Sequence, residues 1–282
     1  MRPENLKTKI FLDSGDPEET KSALSSLGFL DGQTTNPSLI AKSPEAAGKK
    51  FSEVEVLDFY KSVVEKVSSQ IPQGSVSIEV YADAATAADQ MLMQAKEFYK
   101  WIPNAHIKFP TTTEGLKAAE SAVKEGMRVN MTLVFSQNQA AAVYAATKAG
   151  KRGGVYLSPF IGRLDDIGEN GMDLIANTLK MYQEGDGHVE VLTASVRSVD
   201  HLLAAFQLGS DIATVPFKIL KEWAEKGMPM PREDFRYEIK DLRPIVYEPI
   251  DLNRSWQEYN INHELTTKGI DKFSEDWNKL IK

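Results

Sequence analysis

Short apolar runs alternate with longer amphipathic stretches along the chain, each run of strand length leading into a pattern of helical length. KIFLDSG comes first, followed by DPEETKSALSSLG, in which Asp16 and Pro17 are helix-start residues and Gly28 a stop. DGQTTNPSLI comes second; Pro37 closes that strand, and a helical stretch follows at about residues 51–70. SVSIEVYA precedes TAADQMLMQAKEFYKWI, AHIKFP precedes TEGLKAAESAVKEG, and RVNMTLVF precedes SQNQAAAVYAATKAG. GVYLSPFIG is followed by a helical pattern near residues 172–184, HVEVLTAS by VDHLLAAFQLG, and DIATVPFKI runs into LKEWAEKG. These units, with no linker rich in serine, proline or glycine between them, predict the α/β class and one (β/α)8 TIM barrel, a single domain over residues 1–282. Two segments stand outside the rhythm. Residues 229–262 hold several prolines and no clear period, which predicts an ordered excursion or a lid. Near residues 265–281 the helical pattern returns: Ile270, Phe273, Trp277, Leu280 and Ile281 fall near one face of an extra C-terminal helix. That stripe must be buried, on this barrel or on a neighbouring subunit, so a homo-oligomer stays open.

Barrel strands point alternate side chains inward and outward, and the outward ones meet the helices. Ile10 and Leu12 then share one side, with Phe11 and Asp13 on the other. Val76, Ile78 and Val80 face out, leaving Ser77, Glu79 and Tyr81 inside. Ile107 and Phe109 face out, leaving His106 and Lys108 inside. Val129, Met131 and Leu133 face out, leaving Asn130 and Thr132 inside; Val155 and Leu157 face out, leaving Tyr156, Ser158 and Phe160 inside. Thr193, Ser195 and Arg197 share a side. Asp13, Glu79, Lys108, Asn130, Thr132, Ser158 and Ser195 are thus expected to converge near the C-terminal mouth, where barrel active sites lie. Buried Asp, Glu and Lys are rare unless paired or functional.

Composition narrows the chemistry. The net charge of −7 argues against a general nucleic-acid surface, though it leaves a local basic pocket open. There is no cysteine, which removes disulfides, thiolate catalysis and zinc–thiolate sites. His106, His188, His201 and His263 show no ligand spacing, so no metal or other cofactor is expected. No apolar run approaches the ~20 residues of a membrane span, and the opening MRPENLKTKIF is unlike a signal peptide. The expectation is a cytoplasmic protein working with oxygen and nitrogen side chains.

Lys108 among inward carboxylates has the makings of a nucleophilic amine. An exposed lysine titrates at about 10.4, and a Schiff-base lysine needs dry surroundings that favour the neutral form. The plain alternative is a structural ion pair between Lys108 and Glu79. Asp13 suits a base, its alternative being a cap before DPEET, a task Asp16 fills better. His106 lies deeper than Lys108 and reads as a satisfied core histidine, while Lys218 in VPFKI is a rival amine without a carboxylate or amide array.

FLDSG, TTNPSLI, IEVYA, IKFP, EGMRVNMTLVFSQNQA, SPFIGRLDD and TASVR, in this order, resemble the transaldolase family strand by strand. The likeness covers roughly residues 8–220, with a weaker echo in GIDKFSEDWNKL and no clean match over 229–262. It implies a class I aldolase-like barrel that moves a dihydroxyacetone unit between sugar phosphates, from sedoheptulose 7-phosphate to glyceraldehyde 3-phosphate. Lys108 in HIKFP matches the family's Schiff-base lysine, and Asp13 in FLDSG its acid/base at the breaking C–C bond. Glu79 and Thr132 resemble the pair that holds a catalytic water. Thr34, Asn36, Asn130 and Ser158 resemble the groups around bound dihydroxyacetone, with Phe160 as a pocket wall. Ser195, Arg163 and Arg197 resemble the phosphate site. The sister fructose-6-phosphate aldolases, which release free dihydroxyacetone, typically have glutamine and tyrosine where this chain has Glu79 and Phe160. A barrel that binds sugar phosphates without turnover would need a broken site, and no expected residue is missing.

Overall fold

The computed structural model describes residues 2–238 and 241–282. Eight parallel strands close into one barrel in chain order: β1 Lys9–Asp13, β2 Gly32–Thr34, β3 Ser75–Glu79, β4 Ala105–Pro110, β5 Val129–Val134, β6 Val155–Pro159, β7 Val189–Thr193 and β8 Ile212–Val215. The helices are α1 Pro17–Leu27, α2 Pro37–Ala41, α3 Glu53–Gln70, α4 Ala88–Phe98, α5 Thr113–Lys124 and α6 Gln137–Ala146. They continue with α7 Ile161–Asp165, α8 Gly171–Tyr182, α9 Val199–Leu208, α10 Phe217–Glu225 and α11 Glu264–Asn278. The (β/α)8 class and the extra C-terminal helix are as the pattern predicts. None of these helices is long and apolar enough to cross a membrane, among the described residues.

Strand parity holds through most of the barrel. Ile10, Leu12, Val76, Ile78, Ile107, Phe109, Val129, Met131, Val155 and Leu157 belong to the shell core between strands and helices. Lys108 stands level with Glu79 on β3 and Asn130 on β5. Local chemistry sets the edges of the elements. Asn36 caps α2, a short helix absent from the expectation, and Pro37 opens that helix rather than merely closing a strand. Strand eight is shorter than DIATVPFKI, because Pro216 ends it and Phe217 begins α10. Lys218 therefore sits exposed on a helix, outside the barrel interior.

The inward or outward assignments of four residues are corrected. Leu133 has φ +60°, rare for a bulky side chain, at a point where the β5–β6 register shifts. The bulge turns it from the shell into the apolar cluster of Phe160, Ile270 and Phe273. Thr193 shares the parity of the outward Val189 and Val191, and its hydroxyl pairs with Ser210 Oγ at 2.8 Å. Ser195 lies past the end of β7 with φ +60°, so it does not continue that side. Tyr81 lies past the end of β3; its hydroxyl meets Asp83 and Asn278, each at 3.1 Å.

The segment 229–262 is a strap, not a lid; Ile239 and Lys240 in it lie outside the described residues. It runs backwards around the outer helices. Gln207 of α9 donates to the Phe235 carbonyl at 3.0 Å, Asn177 of α8 to that of Ile245 at 2.8 Å, and Gln137 of α6 to that of Glu248 at 3.0 Å. Trp256 Nε1 then donates to Glu120 of α5 at 3.1 Å. From there α11 crosses the mouth and buries Leu265, Ile270, Phe273 and Trp277 on its own barrel. Thr266 Oγ1 donates to the Leu133 carbonyl at 2.9 Å, and Ser38 Oγ to Asp276 at 2.5 Å.

Candidate active site

A cavity of about 240 Å³ opens at the C-terminal mouth, lined by Asp13, Thr34, Asn36, Lys108, Ser158, Phe160, Arg163 and Ser195, with further walls from α2, β8 and α11. Eight of the twelve predicted residues thus share one surface. Glu79, Asn130 and Thr132 are buried and outside that lining; Arg197 lies outside it too.

Lys108 is 3% exposed and Glu79 4%, with Nζ and Oε2 2.9 Å apart. Their charges touch, while the amine also donates to the Thr35 carbonyl at 3.0 Å, and among the described residues no further donor reaches Glu79 Oε2. Thr132 Oγ1 is buried without a hydrogen-bond partner among the described residues. Glu79 Oε2 keeps its ion pair with Lys108, whereas an unpartnered buried hydroxyl such as that of Thr132 is costly and has a hydrogen bond free for a further group. Burial pushes the Glu79 carboxyl above its usual range, opposed by Lys108. Tyr60 supports this layer from α3: its hydroxyl accepts from the Glu79 backbone N–H at 2.9 Å and pairs with Thr35 Oγ1 at 2.6 Å. Asn130 holds the next layer, donating to Ser77 Oγ at 3.1 Å and accepting from Ser158 Oγ at 2.6 Å.

Asp13 accepts a 2.7 Å hydrogen bond from Thr34 Oγ1, which pairs in turn with Thr214 Oγ1 at 2.5 Å. A hydroxyl has one proton to give. Since Thr34 spends its own on Asp13, Thr214 donates to Thr34, and the chain of bonds points at the carboxylate. Burial raises the Asp13 carboxyl above its ordinary value, while Lys108, Thr34 and Arg163 oppose the shift. Thr214 also lines the cavity; the sequence pattern assigned no inward side to strand eight, which ends at Pro216 with Ile212 and Thr214 on one side.

The Arg163 guanidinium sits 5.3 Å from the Phe160 ring centre and 5.4 Å from that of Phe273. Among the described residues it forms no hydrogen bond and no ion pair, so its donors are unspent. Arg197 instead makes an exposed ion pair with Asp166, its Nη2 lying 2.6 Å from Oδ2. Exposed pairs are worth roughly 0–1 kcal/mol, so an incoming anion can displace Asp166 cheaply. Lys42, just past the end of α2, and Lys272 of α11 also reach the rim, and the strand pattern did not reveal them because neither comes from a strand. His106 is the core histidine expected: it pairs with Ser75 Oγ at 2.8 Å and stacks on Tyr156, and burial pushes its pKa down to about 3.

A closed parallel barrel with a buried lysine and carboxylates at its mouth defines a (β/α)8 enzyme. The chain belongs to the transaldolase/fructose-6-phosphate aldolase family, whose profile matches residues 10–282, and it is an enzyme of the transaldolase type. A protein named "Probable transaldolase" from Dehalococcoides mccartyi is 36% identical over 97% of this chain and 100% of its own length. One of the same name from Methanococcus vannielii is 36% identical over 97% of this chain and 99% of its own, and one from a Thermoanaerobacter species 36% over 96% and 97%. These matches extend the likeness beyond residue 220, through the strap and α11.

Proposed function

We propose that the protein transfers a dihydroxyacetone unit from a ketose phosphate to an aldose phosphate through an imine on Lys108. The observation that carries this reading is the Lys108–Glu79 pair, buried to 3% and 4%, beside a cavity whose wall offers the unspent guanidinium of Arg163. Glu79 takes a proton from Lys108, and the neutral amine adds to the C2 ketone. A water bridging Glu79 Oε2 and Thr132 Oγ1 carries protons to and from the C2 oxygen, which leaves as water when the imine forms. Asp13 then accepts the C4 hydroxyl proton. The C3–C4 bond breaks, its electron pair enters the protonated imine, and an aldose phosphate departs from the enamine. A second aldose phosphate enters, the enamine attacks its carbonyl, Asp13 returns the proton, and hydrolysis frees Lys108. Asn36 and Ser158 face the three-carbon unit, and Asn130 sets the Ser158 hydroxyl. Arg163, with Ser195 and a released Arg197, holds the phosphate bidentately. Borohydride reduction in the presence of fructose 6-phosphate is expected to add a dihydroxyacetone-derived mass to the Lys108 peptide. Labelling at full yield in Lys108→Met would refute the assignment.

Release of free dihydroxyacetone is the second reading, and two residues weigh against it. Glu79 can titrate where glutamine cannot, and the Phe160 ring offers no hydroxyl to protonate the enamine. Transfer is therefore expected to dominate. Glu79→Gln with Phe160→Tyr should shift the ratio toward making fructose 6-phosphate from free dihydroxyacetone and glyceraldehyde 3-phosphate. A native enzyme that already prefers free dihydroxyacetone would reverse the choice; an unchanged ratio in the double variant would remove this explanation of it.

A further inference from the structure

The two arginines of the anion site stand on different elements, Arg163 on α7 and Arg197 in the turn before α9, so something must set their spacing. Two contacts do so. At Gly162 the backbones meet directly: its N–H donates to the Ser195 carbonyl at 3.2 Å, and a Cβ there would fall 2.4 Å from that oxygen and 2.5 Å from Arg197 Nε. The second contact is His201, a buried side chain in the first turn of α9. Its Nδ1 accepts the Arg197 backbone N–H at 3.2 Å. Its Nε2 lies 3.0 Å from Oδ2 of Asp165, the last residue of α7, and 2.6 Å from the Tyr237 hydroxyl on the strap. Because a backbone N–H points at Nδ1, that nitrogen carries the lone pair and Nε2 the proton. One imidazole thus joins the Arg197 turn, the Arg163 helix and the strap.

We propose that His201 is the positioning residue of the phosphate cradle, and that Tyr237 anchors it from the strap. The inference rests on the phosphate role given above to Arg163, Ser195 and Arg197. His201 touches no substrate; it holds the backbone of Arg197 at a fixed distance from α7, so that both guanidinium groups reach one phosphate. The strap then has a function at the site although it passes outside the barrel. Its contact with α9 is the outer end of a line that runs through the imidazole to Asp165 and the helix of Arg163.

Two isosteres divide the contacts of the ring. In His201→Asn the amide oxygen can take the place of Nδ1 and accept from Arg197, while the link to Asp165 is lost. In His201→Gln the amide group takes the place of Nε2 and reaches Asp165, while the Arg197 N–H is orphaned. Each loses about one hydrogen bond, so KM for fructose 6-phosphate is expected to rise about 5- to 10-fold with kcat within about twofold. Borohydride trapping of Lys108 with free dihydroxyacetone supplies a phosphate-free comparison, and the ratio of the two readouts is the measure. Tyr237→Phe removes one hydroxyl and should move the ratio in the same direction, which keeps the test open if a histidine variant misfolds. Arg163→Ala separates the two ideas, since it should change the ratio by more than tenfold. No change in Arg163→Ala would overturn the phosphate site itself. A change in Arg163→Ala with none in the His201 and Tyr237 variants would leave the phosphate site standing and overturn the role of His201.

Discussion

At Asp13 the balance lies between loss of water and gain of partners. Desolvation is the larger influence and raises its carboxyl; Lys108, Thr34 and Arg163 pull the other way. In the base role proposed for it Asp13 must be ionised, and the ionised fraction falls as pH drops through the raised pKa. The acid limb of kcat/KM is therefore expected above the ordinary carboxylate range of about 3.9–4.3. Thr214→Val removes the donor that orients Thr34 toward Asp13, so it should weaken the bond that favours the charged form and move that limb higher still. Thr214→Ser should restore it. A limb inside the ordinary range, or one unmoved in Thr214→Val, would contradict this account. Most of these residues were legible from alternation, because a carboxylate or lysine set between apolar outward neighbours must face the barrel interior, where charged groups are rare unless paired or functional. Arg197 was less so: its place in the chain puts it near the mouth, but only the structure reveals that Asp166 holds its guanidinium.

Among the elements, α11 and β5 constrain one another. Leu133 adopts a left-handed backbone that costs on the order of 1–3 kcal/mol, and Thr266 of α11 donates to its carbonyl. Gly269 allows the close approach, for a Cβ there would lie 2.6 Å from Leu133 Cδ2 and 2.8 Å from Arg163 Nη1. Alanine favours a helix over glycine by about 1 kcal/mol, but overpacking a buried contact costs about 1–3 kcal/mol. Gly269→Ala should therefore be neutral to destabilising by up to about 2 kcal/mol, and it should raise KM for phosphorylated substrates by displacing Arg163. Thermal melting and steady-state kinetics check this; a higher Tm with unaltered KM would mean that the roof helix moves freely. The bulge at Leu133 was invisible in RVNMTLVF, where the residues alternate as in any regular strand. Its carbonyl is held from α11, more than a hundred residues away along the chain (Thr266 to Leu133 spans 133). Local pattern carries no trace of such a partner.

For the molecule as a whole, the repeating order of strand and helix was enough to foresee a closed barrel, since parallel strands need helical crossovers and eight of them close. The path of the strap was not foreseeable, because its backbone hydrogen bonds go to side chains such as Asn177 and Gln137 on helices that are complete without it. Closure has a consequence for the growing polypeptide. Strand β1 leaves the ribosome first, yet one of its edges stays bare until β8 arrives to pair Lys9 with Ile212. Asp13 and Thr34 are made early, their partner Thr214 late, and Phe273, which faces Arg163, later again. A nascent chain thus holds its lysine and carboxylates long before it holds a finished pocket. Chaperones that shield bare strand edges should engage it during that interval, and the imine chemistry proposed for Lys108 should begin only after the roof helix has docked.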